Sequence, residues 1–270
     1  TLYSITSAVD KYKNDIILWS RQNNIAEAVY YSKSILDEGG FFFVEGVNES
    51  LVQLKKSYPF YEEIGVANCK GDILTTSNNT RDETAQKIGR NIQHEGYFKK
   101  CMNGSPTVTD VKLSSASGNP VFIIAAPVYS LKGDNPGAMG VLYGTVDLMF
   151  IAKNITDSMK IGSMGYVYIY NNEGMFIYYP DRSKIMKENI TGTRSGQQML
   201  AMAEGIVRGS DGTMEALTGF KKDADLGWTV ASVASYDELL GPVWDLAQFN
   251  IVITIGIIVL AVVVIIIAAA

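Results

Sequence analysis

The most apolar stretch of the chain is its end, where residues 249–270 contain no charged residue, no proline and one glycine. A helix of about 20 apolar residues crosses the hydrocarbon core of a bilayer, because each residue adds about 1.5 Å. The pattern therefore predicts a transmembrane helix over these residues. A buried core helix is the weaker alternative, since such helices normally keep a polar face. Everything before Trp244 is expected to fold beside the membrane.

At the other end, apolar residues recur at alternating steps of three and four, which predicts a long helix over residues 1 to about 37. Gly39 and Gly40 are expected to end it. The spacing is that of a heptad repeat, and Asn23 falls at a seam position, where it could set the register against a partner helix. We expect the stripe to pack partly on its own domain and partly on a second copy, giving a homodimer. The stripe consists of Leu2, Ile5, Val9, Tyr12, Ile16, Trp19, Ala26 and Tyr30.

The middle of the chain contains two similar series of short elements. The first series is predicted as a helix over 50–57, a hairpin over 63–77, a helix over 81–104, strands over 107–114, 120–130 and 138–148, and a helix from 150 to about 160. The second is a hairpin over 166–179, a helix over 196–208, strands over 212–220 and 228–235, and a helix over 237–247. Both series contain a hairpin, a helix and further antiparallel strands, so the sequence predicts an α+β fold of two modules in series.

This pattern divides the chain into four predicted parts. They are a long N-terminal helix over 1–38, a first module over 39–160, a second module over 161–236, and a C-terminal helix with the membrane segment over 237–270. Both ends look like cuts in a longer receptor.

Composition excludes several classes of function. The net charge of −5 and the isoelectric point near 5.0 leave no basic surface for nucleic acid. A single histidine, His94, and two distant cysteines, Cys69 and Cys101, match no zinc spacing, so no metal or cofactor is predicted. The cysteines are either two small apolar residues or, outside the cytoplasm, a disulfide. The chain also has no nucleophile elbow, HExxH motif or phosphate loop, and we expect no enzyme activity.

Alternation along the strands selects candidate binding residues, because alternate side chains share a face. Tyr143, Thr145 and Asp147 point one way on the last strand of the first module. On an earlier strand Asp110, Lys112 and Ser114 share a face. The two polar faces either line a wet pocket or are simply solvated. An ionised Asp147 in a partly dry pocket needs a cation, which a bound amine or Lys112 would supply.

Six segments follow one another in a recognisable order: CKGDILTTS, GRNIQHEGYFKKCMNG, SGNPVFIIAAPVY and GVLYGTVDL in the first module, and NNEGMFIYYPD and GWTVASV in the second. Together they resemble the double Cache sensor domain of bacterial and archaeal chemoreceptors and sensor kinases, which consists of two PAS-like modules. The resemblance covers nearly the whole chain. It implies a small-molecule sensor in the inner (plasma) membrane, with residues 1 to about 245 periplasmic or extracellular and the ligand in the membrane-distal first module.

The resemblance also implies site residues. The family's amino-acid pocket uses an Arg-x-Trp-Tyr run, and here the matching run is Glu95-Gly96-Tyr97-Phe98, so the aromatic residues have counterparts and the arginine does not. A ligand carboxylate would lose its bidentate partner. Asp147 matches the aspartate that accepts the ligand's ammonium group, and an amine or zwitterion is the favoured ligand.

Further candidates come from the neighbourhood of that run. One of Tyr97 and Phe98 is expected to pack while the other touches ligand, with Tyr97 favoured for contact. Arg90 could replace the missing arginine, and Tyr129 is a further candidate. In the second module, residues 178–181 match the family's hairpin pattern, where some relatives bind small carboxylates. We favour a structural role for them, helping to pass movement to the final helix.

The cytoplasmic output implied by the resemblance is chemotaxis signalling, with a histidine kinase or a cyclic-dinucleotide enzyme as alternatives. Two other classes of function stay open. One is a membrane-anchored ectoenzyme that pairs Asp110 with Asp147 for hydrolysis. The other is a structural adhesion domain without a pocket.

Overall fold

The computed structural model describes residues 2–32, 38–78, 90–131, 137–156, 161–210 and 214–269. Its helices are α1 (Leu2–Trp19), α2 (Asn23–Tyr31), α3 (Glu38–Ser57), α4 (Gly96–Met102), α5 (Leu148–Thr156), α6 (Arg194–Leu200) and α7 (Tyr236–Ala269). Its strands form two antiparallel sheets with the same order of connection. In space the first sheet runs Ile73–Thr76, Tyr61–Asn68, Ala138–Asp147, Pro120–Tyr129, Thr107–Val108, and the second Phe176–Tyr178, Tyr166–Tyr170, Thr229–Ser235, Glu215–Lys222, Glu204–Ser210. The prediction of an α+β fold with two modules is confirmed in this respect.

The N-terminal part differs from the single helix that the heptad pattern predicts. Between α1 and α2 the amides of Arg21 and Gln22 bond carbonyls three residues back, and the Ser20 hydroxyl donates to the Ile17 carbonyl at 2.9 Å. Such serine bonds compete with the helical pattern, so the helix ends here. Gly39 and Gly40 do not end a helix, because α3 includes both of them. The helix predicted over 50–57 is the last part of α3, and residues 33–37 lie outside the described chain.

The apolar stripe of α1 packs against the chain's own sheet. Ile5, Val9, Ile16 and Trp19 are buried, and they join the core formed with the inner face of the first sheet. These stripe residues are covered within one chain. Contact with a second copy stays a prediction.

The first sheet contains β1 (Tyr61–Asn68), β2 (Ile73–Thr76), β3 (Thr107–Val108), β4 (Lys112–Leu113), β5 (Pro120–Tyr129) and β6 (Ala138–Asp147). The predicted hairpin at residues 63–77 is present, and Gly71 at its turn has φ +83°, a conformation that favours glycine. The predicted strand over 107–114 is two short strands. At the break the Ile123 amide donates to the Thr109 hydroxyl at 2.9 Å instead of to a backbone carbonyl, which interrupts the ladder.

The helix predicted over 81–104 is wrong for its described N-terminal part. Residues 90–92 run along the β1–β2 hairpin, where the Ile73 amide donates to the Arg90 carbonyl at 3.1 Å and the Ile92 amide to the Gly71 carbonyl at 2.8 Å. The helix α4 begins only at Gly96. Residues 79–89 lie outside the described chain.

The second sheet contains β7 (Tyr166–Tyr170), β8 (Phe176–Tyr178), β9 (Glu204–Ser210), β10 (Glu215–Lys222) and β11 (Thr229–Ser235). The helix predicted over 196–208 is instead α6 followed by the edge strand β9. Within β9 only Val207 is buried, so the strand shows too little apolar alternation to be recognised. Two 3₁₀ turns, Arg182–Lys184 and Ile190–Gly192, lie between β8 and α6.

The two modules share one apolar core. Residues from the inner face of the second sheet, among them Val167, Ile169 and Val230, belong to the same buried cluster as α1 and the first sheet. Phe122 of β5 meets Trp228 edge-on, with ring centroids 5.1 Å apart. The predicted boundaries at residues 160 and 236 stay predictions.

The last helix, α7, starts directly after β11 and runs without a break to Ala269. The side chains of residues 242–245, 247 and 259–270 lie outside the described part of the chain. In the part that is described, no helix has a stretch both long and apolar enough to cross a bilayer. The transmembrane helix predicted over residues 249–270 falls partly on these undescribed side chains and stays a prediction.

Candidate functional site

The outer face of the first sheet is covered by α4. As strand alternation predicts, Tyr143 faces α4, and Leu142 and Val146 face the opposite core. Tyr97, Phe98 and Cys101 of α4 pack on this outer face against Ala67, Ile123, Ala125 and Val141. On the opposite face, helices α1, α2, α3 and α5 contribute residues to the core.

A cleft of about 380 Å³ lies between α4 and strands β3 to β5, and we call it the distal cleft. Its volume falls in the usual range of small-molecule sites, about 300–1,000 Å³. It is lined by Glu95, Gly96, Tyr97, Lys100, Thr107, Val108, Thr109, Asp110, Val111, Lys112 and Ile123.

The charged side chains of the distal cleft carry both signs. Glu95 and Lys100 come from α4 and its N-terminus, and Asp110 and Lys112 come from the β3–β4 segment opposite. All four residues are exposed. The apolar part of the lining consists of Tyr97, Val108, Val111 and Ile123, of which all but Val108 are buried. An apolar lining with opposite charges suits a small molecule that carries both an ammonium and a carboxylate group.

Beside the cleft lies a polar cluster of Glu63, Arg90 and Tyr143, which we call the Glu63 cluster. The Tyr143 hydroxyl donates to Glu63 Oε1 at 2.9 Å, and Arg90 Nη1 lies 3.7 Å from Glu63 Oε2. The Glu63 side chain is 13% exposed and that of Arg90 61%. Gly65 makes room for the tyrosine, because a Cβ there would lie 2.5 Å from Tyr143 Cζ.

The electrostatics of the Glu63 cluster keep Tyr143 a hydrogen-bond donor. Burial, followed by the adjacent Glu63 carboxylate, raises the pKa of Tyr143 well above its ordinary value. Tyr97, whose ring centroid is 6.1 Å from that of Tyr143, has its pKa raised mainly by burial and then by Glu95. Both phenols therefore stay protonated at physiological pH.

Of the predicted binding residues, Tyr97, Asp110 and Lys112 lie together in the lining of the distal cleft. Phe98 is buried in the packing between α4 and the sheet. Arg90 lies in the extended segment before α4, not in a helix, and its guanidinium group lies beside the Glu63 carboxylate. Their contact with a ligand stays a prediction.

The other predicted residues lie outside the lining of this cleft. The Asp147 carboxylate accepts the Asn119 side-chain amide at 2.8 Å and the Phe150 backbone amide at 3.2 Å, so it caps α5. The Ser114 hydroxyl donates to Glu62 at 2.7 Å and accepts the amides of the following turn. Half-buried Thr145 lies further along β6, and exposed Tyr129 ends β5.

Sequence reasoning missed Glu63, Glu95, Lys100 and Thr109. Glu63 shares its strand parity with Gly65, which pairs with Tyr143, but that pairing joins distant parts of the chain and is not visible in the sequence. Lys100 lies three residues after Tyr97 on α4, and this spacing of one helical turn was a usable signal. Glu95 precedes the helix and gave no such signal. Thr109 gave none.

Metal and disulfide chemistry receive no support. Within the described ranges no three His, Cys, Asp or Glu side chains cluster closely enough to hold a metal ion. Cys69 is exposed and Cys101 is buried, and both are free thiols. Burial raises the pKa of the Cys101 thiol to about 12, which keeps it unreactive.

Comparison with solved structures shows the fold. The sensor domain of the histidine kinase DctB from V. cholerae matches with a TM-score of 0.63 at 16% identity, covering 86% of this chain and 92% of that one. A domain of a sensory box/GGDEF family protein from Vibrio parahaemolyticus matches with a TM-score of 0.64 at 13% identity, covering 87% and 92%. The ligand-binding domain of the Pseudomonas aeruginosa chemoreceptor PctB, in complex with L-Arg, matches with a TM-score of 0.51 at 16% identity, covering 86% and 97%.

Sequence comparison agrees with this fold. Over 84 residues the chain is 31% identical to the methyl-accepting chemotaxis protein PctB of Pseudomonas aeruginosa, a segment that makes up 31% of this chain and 13% of that receptor. The family model described as Cache domain (dCache_1) matches residues 5–243. The chain belongs to the Cache domain family.

Proposed function

We propose that this chain is the extracytoplasmic sensor domain of a transmembrane receptor and that it binds a small zwitterionic or amine metabolite in the distal cleft. The observation that carries the proposal is the pairing of acidic and basic side chains on opposite sides of one apolar-floored cleft. Family membership and the likeness to sensor domains of chemoreceptors and histidine kinases support the sensor role.

In the proposed complex, different side chains of the cleft would bind the two charged groups of a zwitterion. Asp110 and Glu95 would accept the ammonium group, and the Tyr97 ring offers a face to the same cation. Lys100 and Lys112 would receive the carboxylate. These lysines supply point charges in place of the arginine fork of the family's amino-acid pocket, so the cleft would tolerate more than one carboxylate geometry.

Transmission would use the last helix. Residues 237–270 would carry the signal through the inner membrane, with residues 1 to about 245 on the outer side and a homodimer formed near the N-terminal helices. A ligand shifts a receptor only through its differential affinity for two states, typically about 1–3 kcal/mol. The similarity to PctB supports a chemotaxis output, and the likeness to the DctB sensor domain supports a histidine kinase as the alternative. The chain itself would catalyse nothing.

The binding proposal is tested by a thermal-shift screen of amines, amino acids, organic acids and purines, followed by calorimetry on the hits. Lys100→Ala should weaken a zwitterion about tenfold or more, whereas Lys99→Ala, the adjacent exposed lysine outside the cleft lining, should leave affinity unchanged. Asp110→Asn should weaken amines and zwitterions alike. Equal effects of the two lysine variants would refute the assignment of the cleft.

A further variant decides the role of Asp147. Asp147→Asn keeps a side-chain oxygen that can cap α5 but removes the charge. The variant also loses one of the two acceptor oxygens, which serves the Asn119 amide, so a small fall in melting temperature is expected in either case. If Asp147 binds the ligand's ammonium group, ligand affinity falls as well. If binding is unchanged, the carboxylate is structural.

The membrane and output proposals need separate experiments. Protease treatment of intact spheroplasts should cleave the region before residue 245 in a receptor with this domain outside. Sequence beyond residue 270 that encodes a long heptad-repeat hairpin would support the chemoreceptor, and a catalytic domain would support the alternative.

A further inference from the structure

A second cavity lies in the other module, on the outer face of the second sheet. It has a volume of about 150 Å³ and is bordered by β7, β10, the 3₁₀ turns and α6. We call it the proximal cavity. Lys184 and Glu188 lie on its solvent-exposed side, which we call the opening, since their side chains are 34% and 56% exposed. A cavity of about 150 Å³ is large enough for one six-membered ring, since benzene binds in an engineered cavity of that size, and here the lining combines aromatic and polar side chains.

Aromatic side chains form one wall of the proximal cavity. Tyr166, Tyr168, Phe176 and Tyr179 all line it. The Tyr168 ring meets Phe176 edge-on at 5.4 Å between centroids, and Tyr179 lies 5.7 Å from Tyr168 and 4.9 Å from Phe176. Aromatic pairs of this geometry favour a further ring in offset or edge-on contact. The wall is therefore suited to a flat, apolar body.

One buried donor in this wall has a poor acceptor. Tyr168 is only 9% exposed, and its hydroxyl donates to the thioether sulfur of Met199, 3.7 Å away. Sulfur is a weak acceptor, so a ligand oxygen or nitrogen would be a better partner. Burial raises the pKa of Tyr168 above its ordinary value, which keeps the hydroxyl protonated and able to donate.

The charges at the opening are already paired with the protein. Lys184 Nζ lies 3.8 Å from Glu188 Oε2 and 4.9 Å from the centre of the Tyr179 ring. The ammonium group thus has an anionic and an aromatic partner. The Asn189 side chain also lines the cavity, and it donates to the Glu173 carbonyl at 2.6 Å and accepts the Thr191 amide at 2.8 Å. Further polar lining comes from the hydroxyls of Thr193, Ser195, Ser210 and Thr218. This lining offers no uncompensated charge to an ionic ligand.

We propose that the proximal cavity binds a neutral six-membered aromatic or heteroaromatic ring with a hydrogen-bond acceptor, stacked among the tyrosines and bonded by the Tyr168 hydroxyl. This site is separate from the distal cleft and has a different ligand chemistry. Tyr178, the neighbour of Tyr179, points away from it, because its hydroxyl lies 3.0 Å from Thr156 Oγ1 of α5. The structural role predicted for residues 178–181 thus fits Tyr178, which contacts α5. It does not explain why the Tyr179 ring lines the cavity.

The test is a titration of the full chain with pyridine and 2-pyridone at pH 7.5, followed by ¹H NMR or calorimetry. Tyr168→Phe, which removes only the hydroxyl, should weaken both rings about fivefold, the loss of one neutral hydrogen bond. Tyr170→Phe is the matched control. It removes a phenol from the same strand that does not line the cavity, and affinity should not change. Ala216→Leu should abolish binding by filling the cavity, with a thermal melt to confirm folding.

Comparison ligands complete the test. Benzoate and lactate should bind more weakly than 2-pyridone. Binding of the carboxylates alone, equal binding by Tyr168→Phe and wild type, or no ring binding at millimolar concentration would each overturn the proposal. Lys100→Ala should leave ring binding unchanged, so failure of the proximal site and failure of the distal cleft are distinguishable.

Discussion

The hydrogen bond between Tyr143 and Glu63 should contribute a measurable share of the stability of the first module. The Tyr143→Phe variant removes only the hydroxyl that donates to Glu63 Oε1 at 2.9 Å. Tyr143 is 2% exposed, so water cannot readily replace the lost donor. Bonds to a charged group contribute about 1.5–3 kcal/mol, and we expect a loss of about 2 kcal/mol. For a chain of this size that is a fall in melting temperature of roughly 4–8 °C.

A double-mutant cycle separates this bond from other effects of the change. Glu63→Gln keeps an acceptor but removes the charge, and its pairing with the 61% exposed Arg90 contributes little. The coupling energy between Tyr143→Phe and Glu63→Gln should be about 1 kcal/mol, measured by urea unfolding with tryptophan fluorescence. Tyr129→Phe, a change at an exposed tyrosine, should stay within about 0.5 kcal/mol of wild type. Additive effects of the two changes would refute the reasoning.

The same pair has a signature at alkaline pH. The folded-state pKa of Tyr143 is raised above its unfolded value of about 10. Its contribution to stability is therefore complete below that pH and is lost as the pH rises through the folded pKa. Burial raises the pKa values of other tyrosines in the same direction, but these tyrosines are present in wild type and variant alike. The difference in slope above about pH 10 between wild type and Tyr143→Phe isolates this residue. Equal slopes would mean that the hydroxyl is not buried in solution.

Three further predictions concern other parts of the fold. Trp228→Ala should cost about 3–5 kcal/mol in urea unfolding, because the ring is buried against Phe122; a cost below about 1 kcal/mol would contradict the shared core. The hydrogen bond from the Ser163 hydroxyl lowers the pKa of Glu238, so the stability that ionised Glu238 contributes is present above about pH 4.5 and is lost as the pH falls through the folded pKa. Wild type should therefore lose more stability than Glu238→Gln between pH 6 and 3. Parallel stability curves would exclude the contact. Thr193→Ala should cost about 0.5–2 kcal/mol by removing the cap on the Gly196 amide at 3.0 Å, and Thr193→Ser should restore it; equal losses would show that the hydroxyl is not the cap.

Local turn chemistry explains why the hairpins could be predicted. Gly71 and Gly174 both have positive φ, at +83° and +82°, in the turns where the sequence expects them. The long strands β5 and β6 are similarly evident from their apolar runs. The edge strand β9 and the break between α1 and α2 could not be read in this way, because one has little buried surface and the other depends on bonds from Ser20.

The candidate site was predictable where it depended on alternation and not where it depended on register. Alternation correctly predicts that Tyr143 points to one face of β6 and Leu142 to the other. Alternation cannot show that Glu63 lies beside Thr145, because β1 and β6 are neighbours in the sheet but far apart in the sequence. Asp147 illustrates a third limit. Asp147 is the last residue of β6, and its carboxylate caps α5 by accepting a backbone amide. The sequence predicts that this helix starts at residue 150, so it does not identify Asp147 as the cap.

The arrangement of the two modules constrains how either site can influence the last helix. Both the distal cleft and the proximal cavity lie on outer faces of their sheets, whereas the shared core lies on the inner faces. Under the proposed sensor role, a change at the distal cleft would pass through the first sheet before it reaches the second module. Phe122 of β5 contacts Trp228, which immediately precedes β11, and β11 continues directly into α7 at Tyr236. The proximal cavity is closer to the same helix, since Val233 of β11 lines it. β11 thus lines the proximal cavity, and the residue before it contacts the inner face of the first sheet, whose outer face borders the distal cleft. Under the proposed sensor role, we expect occupancy of either site to act on the junction between β11 and α7.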